Sequence, residues 1–158
     1  MEGASFSLIV KDVHNGETVF AYDTLRQLTP ASVMKTVTTA TALEILGEDY
    51  RFPTTLAYDG SIEKGLLKGN LYIKGSGDPS LGSAHFAPYH KRFLQEWISA
   101  LKKVGIHKIQ GAVIADESIF DTEGTSFKWV GEDMGSYYGA GSYGLCVFDN
   151  LYKLGLQT

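Results

Sequence analysis

A serine and a lysine three positions apart open the first apolar helical pattern of the sequence, in Thr29-Pro30-Ala31-Ser32-Val33-Met34-Lys35-Thr36. Residues at i and i+3 share a helix face, so the Lys35 amine can reach the Ser32 hydroxyl. A serine hydroxyl is a weak nucleophile at neutral pH and needs an adjacent base. A lysine serves only where burial or neighbouring positive charge leaves some of its amine neutral. A helix N-terminus adds partial positive charge and free N–H groups that suit a developing oxyanion. The pair therefore fits acyl transfer through an activated serine. Serine is also a preferred helix cap, and a cap followed by a solvated lysine explains the same residues. The residues alone leave both readings open.

The spacing recurs twice more, in Ser61-Ile62-Glu63-Lys64 and Ser99-Ala100-Leu101-Lys102. The first lies between Gly60 and Gly65 with no apolar period after it, which reads as a solvated turn whose Glu63 keeps Lys64 charged. The second falls late in a helical pattern, where the negative end of the helix dipole holds Lys102 protonated. Only Ser32 follows a proline and precedes Val33, Val37, Ala40, Leu43 and Leu46 at helical intervals, closed by Gly47.

Other groups carry less chemistry. Ala140-Gly141-Ser142-Tyr143-Gly144 approximates a hydrolase nucleophile elbow around Ser142, but such an elbow leads into a helix, and here an apolar, β-prone run follows with no later histidine. Gly75-Ser76-Gly77 lacks the lysine of a phosphate loop and reads as a turn. His14, His85, His90 and His107 share no ligand spacing on one helix face, so no metal site is expected. Asp116, Asp121 and Asp133 sit in or near loops, and the sequence gives them no pair geometry.

The elements that must hold these residues are mixed. Ser5 to Val10, His14-Asn15-Gly16 and Thr18 to Tyr22 read as a hairpin, because Asn-Gly accepts the positive φ of a tight turn. The Ser32 helix follows. Thr54 to Tyr58 and 69–74 read as strands, the second running into the compact loop Gly75-Ser76-Gly77-Asp78-Pro79-Ser80. From His90 to Val104, Phe93, Leu94, Trp97, Ile98, Leu101 and Val104 mark an amphipathic helix ended by Gly105. Ile106 to Ala115 reads as strand, as do Leu145 to Phe148 and the start of Leu151 to Thr158.

With 158 residues, 44% hydrophobic and 20% charged, the chain has the make-up of a globular protein able to bury a core. Its formal net charge of -4, with lysines scattered along the chain, gives no overall basic field, so nucleic acid and other polyanions are not expected partners. Cys146 is the one cysteine, which excludes an internal disulfide and a cysteine-based zinc cage. No basic-apolar leader opens the sequence, and no apolar run is long enough to span a bilayer.

Four separated segments together resemble one family. They are Pro30-Ala31-Ser32-Val33-Met34-Lys35; Gly69-Asn70-Leu71-Tyr72-Ile73 with Gly75-Ser76-Gly77-Asp78-Pro79-Ser80-Leu81; Gly111-Ala112-Val113-Ile114-Ala115-Asp116 with Ser118 and Phe120; and Tyr138-Gly139-Ala140-Gly141 with Asp149-Asn150. In this order they resemble the D-alanyl-D-alanine carboxypeptidase/endopeptidase family of low-molecular-mass penicillin-binding proteins, the S13 type. Ser-x-x-Lys is shared with serine β-lactamases, whereas the Gly-Ser-Gly-Asp-Pro block is particular to this group. The resemblance implies that Ser32 is the acylated nucleophile and Lys35 its general base. It implies peptidoglycan stem peptides as substrate, β-lactams as acylating inhibitors, no cofactor, and a periplasmic or otherwise extracytoplasmic place in the cell envelope. Glu132-Asp133-Met134 matches the family position that contacts the amino group of the stem peptide's third residue, which makes Asp133 the substrate-binding candidate. Asp116 is then structural.

The resemblance also carries a departure. The family's Ser-x-Asn and Lys-Thr-Gly motifs do not occur in the sequence. The expected fold is α+β: residues 1–56 as the amino-terminal part of a partial β-lactamase/transpeptidase-like domain with the nucleophile helix, and 57–158 as the beginning of an inserted α/β module and the strands that follow. The chain is expected to be an amino-terminal portion that leaves apolar surface such as Leu43 and Leu46 to be covered by a second copy or a complementary fragment.

Overall fold

The computed structural model describes residues 3–86, 92–152 and 154–156, and the chain divides into two compact units, Met1–Tyr50 and Arg51–Thr158. The architecture is α+β, as expected.

In the first unit, strands β1 (Leu8–Lys11) and β2 (Thr18–Tyr22) pair antiparallel, with Leu8 opposite Tyr22 and Val10 opposite Phe20. The connection is tied by Asp12 N–H to the Glu17 carbonyl at 2.8 Å and Gly16 N–H to the Asp12 carbonyl at 2.9 Å. Gly16 takes φ 74, the left-handed conformation that the Asn-Gly pair anticipates. A 3-10 turn over Ala31–Val33 then leads into helix α1 (Met34–Leu46). The helix ends at Gly47, with φ 80 and its N–H on the Leu43 carbonyl. Its apolar side chains are open: Val37 is 56% exposed, Leu43 56% and Leu46 48%.

The second unit holds two three-stranded sheets. In one, β3 (Thr55–Tyr58) pairs antiparallel with β6 (Leu71–Lys74), and β6 runs parallel to β8 (Val113–Asp116). In the other, β4 (Ser61–Glu63) and β5 (Leu66–Lys68) form a hairpin, and β5 runs parallel to β7 (Lys108–Ile109). Helix α2 (Phe93–Lys103) supplies Phe93 to a core shared with Leu67, Leu71, Leu81, Ile106 and Cys146. The Phe93 ring meets Trp97 edge-on at 4.9 Å and Phe148 at 5.7 Å. His90 and Lys91, read as the first residues of this helix, lie outside the described residues.

A three-residue clamp closes the first of these sheets. The Asp59 carboxylate accepts from the Asn70 N–H at 2.6 Å, Asn70 Nδ2 at 3.0 Å and the Tyr72 hydroxyl at 2.8 Å. Asn70 Oδ1 in turn accepts from the Ala112 N–H at 2.9 Å, so one exposed carboxylate links the ends of β3, β6 and β8. The Asn70 backbone N–H, then its side chain and Tyr72, hold the Asp59 carboxyl below the usual carboxylate range, and the same bond to Asp59 pushes the Tyr72 phenol up.

Four readings of the elements change. Ser61 is in a strand, not a turn; only Lys64 and Gly65 turn the β4–β5 hairpin, with φ 51 and 86. The run 106–115 breaks into β7 and β8, which belong to different sheets. Leu145 makes a single parallel bridge to Asp78 and no strand forms over 145–148, because Phe148, Asp149 and Asn150 coil at φ 53, 59 and 52. That left-handed turn is anchored by Asn150 Nδ2, which donates to the Gly141 carbonyl at 2.8 Å. No strand forms among the described residues from 151 onward, while Lys153, Gln157 and Thr158 lie outside them.

Candidate active site

Ser32 lies in the middle of the 3-10 turn and Lys35 in the first turn of α1. Pro30 begins the turn with φ -73, and its carbonyl accepts the Val33 N–H at 3.1 Å. Ala31, directly before the serine, is held at φ 45, a conformation that costs a residue with a Cβ on the order of 1 kcal/mol or more. The serine thus rides on a locally strained turn. The residues at the cap positions of the turn and of α1 are Pro30 and Val33, and no side chain caps either. The cap reading of Ser32 is therefore not realised, and its hydroxyl is left available. The first turn of α1 is fixed from behind: Thr39 Oγ1 donates to the Lys35 carbonyl at 2.7 Å, and Thr38 Oγ1 to that of Met34 at 3.2 Å. Both Ser32 and Lys35 are exposed.

Neither of the other Ser-x-x-Lys pairs resembles this arrangement. Ser99 spends its hydroxyl on the Gln95 carbonyl at 2.7 Å inside α2, and Lys102 is in the last turn. Ser61 and Lys64 belong to the β4–β5 hairpin. Ser142 does not open a helix; its N–H is bound to the Gly124 carbonyl at 2.9 Å in irregular chain.

Asp133 closes a 3-10 turn over Gly131–Asp133 in the second unit and is half-buried. Its Oδ1 accepts from the Tyr138 hydroxyl at 3.1 Å, and its carbonyl accepts from the Ser136 N–H at 3.0 Å. The Tyr138 ring packs edge-on against Tyr137 at 5.3 Å. Gly139 allows the return of the chain, since a Cβ there would stand 2.0 Å from the Asp133 carbonyl oxygen. Tyr138 is a residue that the sequence did not single out as Asp133's partner: five positions apart in irregular chain, no periodicity relates them.

Asp116 has a different occupation. Its Oδ1 accepts from the Ser118 hydroxyl at 2.6 Å and the Ser118 N–H at 3.0 Å, a local turn. These two bonds, the hydroxyl first, hold its carboxyl below the ordinary range. Asp78 makes the same turn with Ser80, accepting its N–H at 2.8 Å. The loop that contains Asp78 is pressed against a distant segment. Gly77 N–H reaches the Gly144 carbonyl at 2.7 Å, and a Cβ on Gly75 would stand 2.0 Å from that oxygen. The Gly-Ser-Gly-Asp-Pro loop is thereby in contact with the end of the Ala140–Gly144 stretch, through backbone that at position 75 only glycine permits.

Among the described residues, no three His, Cys, Asp or Glu side chains gather as a metal site. No described helix is long and apolar enough to cross a membrane.

The chain is 33% identical over 140 residues to the D-alanyl-D-alanine carboxypeptidase of Actinomadura sp. (strain R39), covering 89% of this chain and 24% of that protein. It is 29% identical over 133 residues to the D-alanyl-D-alanine carboxypeptidase DacB of Haemophilus influenzae, covering 84% and 26%. The chain thus spans about a quarter of the length of these curated relatives. The crystal structure of penicillin-binding protein 4 (DacB) from Haemophilus influenzae superposes with a TM-score of 0.78 at 28% identity, over 90% of this chain and 30% of that one. The same protein complexed with a novel β-lactam superposes at 0.62 and 32% identity, over 73% and 25%. The model of the D-Ala-D-Ala carboxypeptidase 3 (S13) family matches residues 1–158, and the chain belongs to that family.

Proposed function

We propose that the chain carries the nucleophile segment of a serine D,D-peptidase acting on peptidoglycan stem peptides. The observation that carries this reading is the uncapped Ser32 hydroxyl on a strained turn, with Lys35 one position into the helix that follows. Ser32 Oγ attacks the carbonyl carbon of the penultimate D-alanine while Lys35 Nζ takes its proton. The terminal D-alanine, or the amine of a cross-bridge, leaves with a proton returned from the lysine. Water then attacks the ester and regenerates the serine. A β-lactam follows the first half of this path, its ring nitrogen as the tethered leaving group.

In this reading Asp133 receives the ammonium of the stem peptide's third residue. Its carboxylate is held by the Tyr138 hydroxyl on one oxygen, which leaves the other for substrate. The enzyme works in the cell envelope, where its substrate is. Residues 1–56 form the amino-terminal part of the transpeptidase-like domain and 57–158 begin the inserted module.

The 158-residue chain alone is expected to be inactive. Turning Lys35 into a base requires desolvation or neighbouring cations, and both residues of the pair are exposed. Ser-x-Asn and Lys-Thr-Gly are also missing from the sequence. That exposure favours a second reading, in which this segment by itself is a non-catalytic structural or binding module. A fluorescent penicillin tests both. The full-length parent is expected to be labelled and its Ser32→Ala variant not. Labelling of that variant overturns the assignment of Ser32, and stoichiometric labelling of the isolated chain overturns its inactivity.

A further inference from the structure

Asp149-Asn150, the end of the fourth sequence block, has no part in the acyl transfer proposed above, yet the backbone there is strained. Phe148, Asp149 and Asn150 follow one another at φ 53, 59 and 52. Left-handed backbone is unfavourable for any residue with a Cβ, and a run of three persists only where the surroundings impose it. Here they do. The Phe148 N–H is held by the Leu81 carbonyl at 2.8 Å, its ring packs on Phe93 at 5.7 Å, and Asn150 Nδ2 donates to the Gly141 carbonyl at 2.8 Å. Gly82 makes room for the ring, since a Cβ there would stand 2.5 Å from it. Both flanking side chains are thus spent on holding the turn. Asp149 between them is half-buried, and its carboxylate has no hydrogen-bond or ion-pair partner among the described residues. Asp59, Asp78, Asp116 and Asp133 all accept bonds from their neighbours. Strain maintained around an unspent carboxylate points to function.

Asp149 lines a cleft of about 420 Å3 with His85, Tyr137 and Leu151. That volume suits a small-molecule site. The Tyr137 ring is 73% exposed, and neither its hydroxyl nor the His85 imidazole has a hydrogen-bond partner among the described residues. The lining selects the ligand. One carboxylate with no lysine or arginine beside it repels an anion. A bare ammonium would use Asp149 and leave the phenol O–H and the imidazole N–H without acceptors. A neutral sugar meets all four groups: its hydroxyls donate to the carboxylate and accept from Tyr137 and His85, while its C–H face and an acetamide methyl lie against the ring and Leu151.

The position of the cleft agrees with that choice. Tyr138, which binds Asp133, packs edge-on against Tyr137 at 5.3 Å, so the cleft and the candidate ammonium site share one pair of tyrosines. Two stem residues, about 7 Å when extended, lie between the peptide's third residue and the sugar that bears it. We propose that this cleft is a subsite for an N-acetylated hexosamine of the glycan strand, with Tyr137 as its platform and Asp149 as the acceptor for its hydroxyls. The inference rests on the peptidoglycan reading above.

The test is isothermal titration of the full-length parent with tetra-N-acetylchitotetraose, for which saturable binding is expected. Tyr137→Ala should weaken it at least about tenfold. Asp149→Gly accepts φ 59 while removing the carboxylate, and should weaken it about tenfold with an unchanged circular dichroism spectrum. Asp149→Asn also tolerates the left-handed turn and keeps a neutral acceptor, so its loss should be about threefold. Cellotetraose, which lacks the acetamide groups, should bind more weakly than the chitotetraose. Equal affinity for the two would overturn the choice of an N-acetylated sugar. Displacement of the saccharide by cadaverine would make the cleft a cation site instead. Affinity unmoved by Tyr137→Ala and by both Asp149 variants would place any binding elsewhere and sink the proposal. Penicillin labelling reports Ser32 and not this cleft, so the two readings fail separately. A parent that is labelled but binds no saccharide overturns the subsite alone, and one that binds saccharide without being labelled keeps the cleft and removes the peptidase.

Discussion

The Tyr138 hydroxyl donates to Asp133 Oδ1 at 3.1 Å, across a turn that only a glycine at 139 permits. One oxygen of the carboxylate is thereby engaged, and in the role proposed for Asp133 the other is left for the substrate's ammonium. Tyr138→Phe keeps the ring and its packing on Tyr137 while removing that donor. In the full-length enzyme, KM for a stem peptide bearing an amine on its third residue is expected to rise about five- to tenfold with kcat unchanged. The ratio should collapse for an analogue lacking the amine. Equal losses on both peptides would show that Tyr138 acts on something other than Asp133.

To serve as the proposed base Lys35 has to be deprotonated, and a guanidinium at that position cannot be. Lys35→Arg in the full-length protein preserves the charge and is expected to lower the acylation rate by a fluorescent penicillin about a thousandfold or more. Stopped-flow labelling reads this directly. A variant that acylates within about tenfold of the parent would leave Lys35 an electrostatic neighbour rather than the base.

Asp59 makes the sheet sensitive to pH in both directions. Its carboxyl is lowered on folding by the Asn70 N–H, so its contribution is complete above the ordinary carboxylate value of 3.8 and is lost as pH falls through the folded value. Tyr72 is raised, chiefly by its bond to Asp59, so its contribution is complete below 10.0 and is lost as pH climbs through the folded value. Asp59→Asn is expected to lower Tm at pH 7. The difference from the parent should shrink both in strong acid and above pH 10, as followed by circular dichroism melts. A constant difference across that range would mean that the clamp is not titrating.

Leu67 is fully buried between the β4 and β7 strands of its sheet. Leu67→Ala is expected to cost about 2–5 kcal/mol, which denaturant unfolding of the chain would register as a lower midpoint. A cost under about 1 kcal/mol would mean that the cavity collapses and that the core is more plastic than its burial suggests.

The strongest local signals were legible from residue order. Asn15-Gly16 announced the first hairpin, the Pro30–Gly47 bracket announced α1, and the stripe Phe93, Trp97, Leu101 announced α2, because turn conformation and helical period are properties of neighbours in the chain. The β4–β5 hairpin was hidden, since strands of three residues are too short for alternation to show. Val147 and Phe148 have the composition of a strand, yet Phe148 is turned left-handed. Its N–H is taken by the Leu81 carbonyl at 2.8 Å and its ring packs on Phe93, contacts that no local propensity encodes.

What the sequence determined by itself was the chemistry on offer: a serine and lysine one turn apart at a helix start, and four separated blocks in one family's order. Tertiary structure decided which groups are spent and which are free. It left the Ser32 hydroxyl uncapped, bound Asp116 into a turn with Ser118, and gave Asp133 to Tyr138. It also drew His85 and Asp149 to one cleft by bonding the Phe148 N–H to the Leu81 carbonyl, between distant segments of the chain. The reason is physical: a side chain's type is local, but its partners and its field depend on backbone pairing between segments whose separation along the sequence carries no record of it.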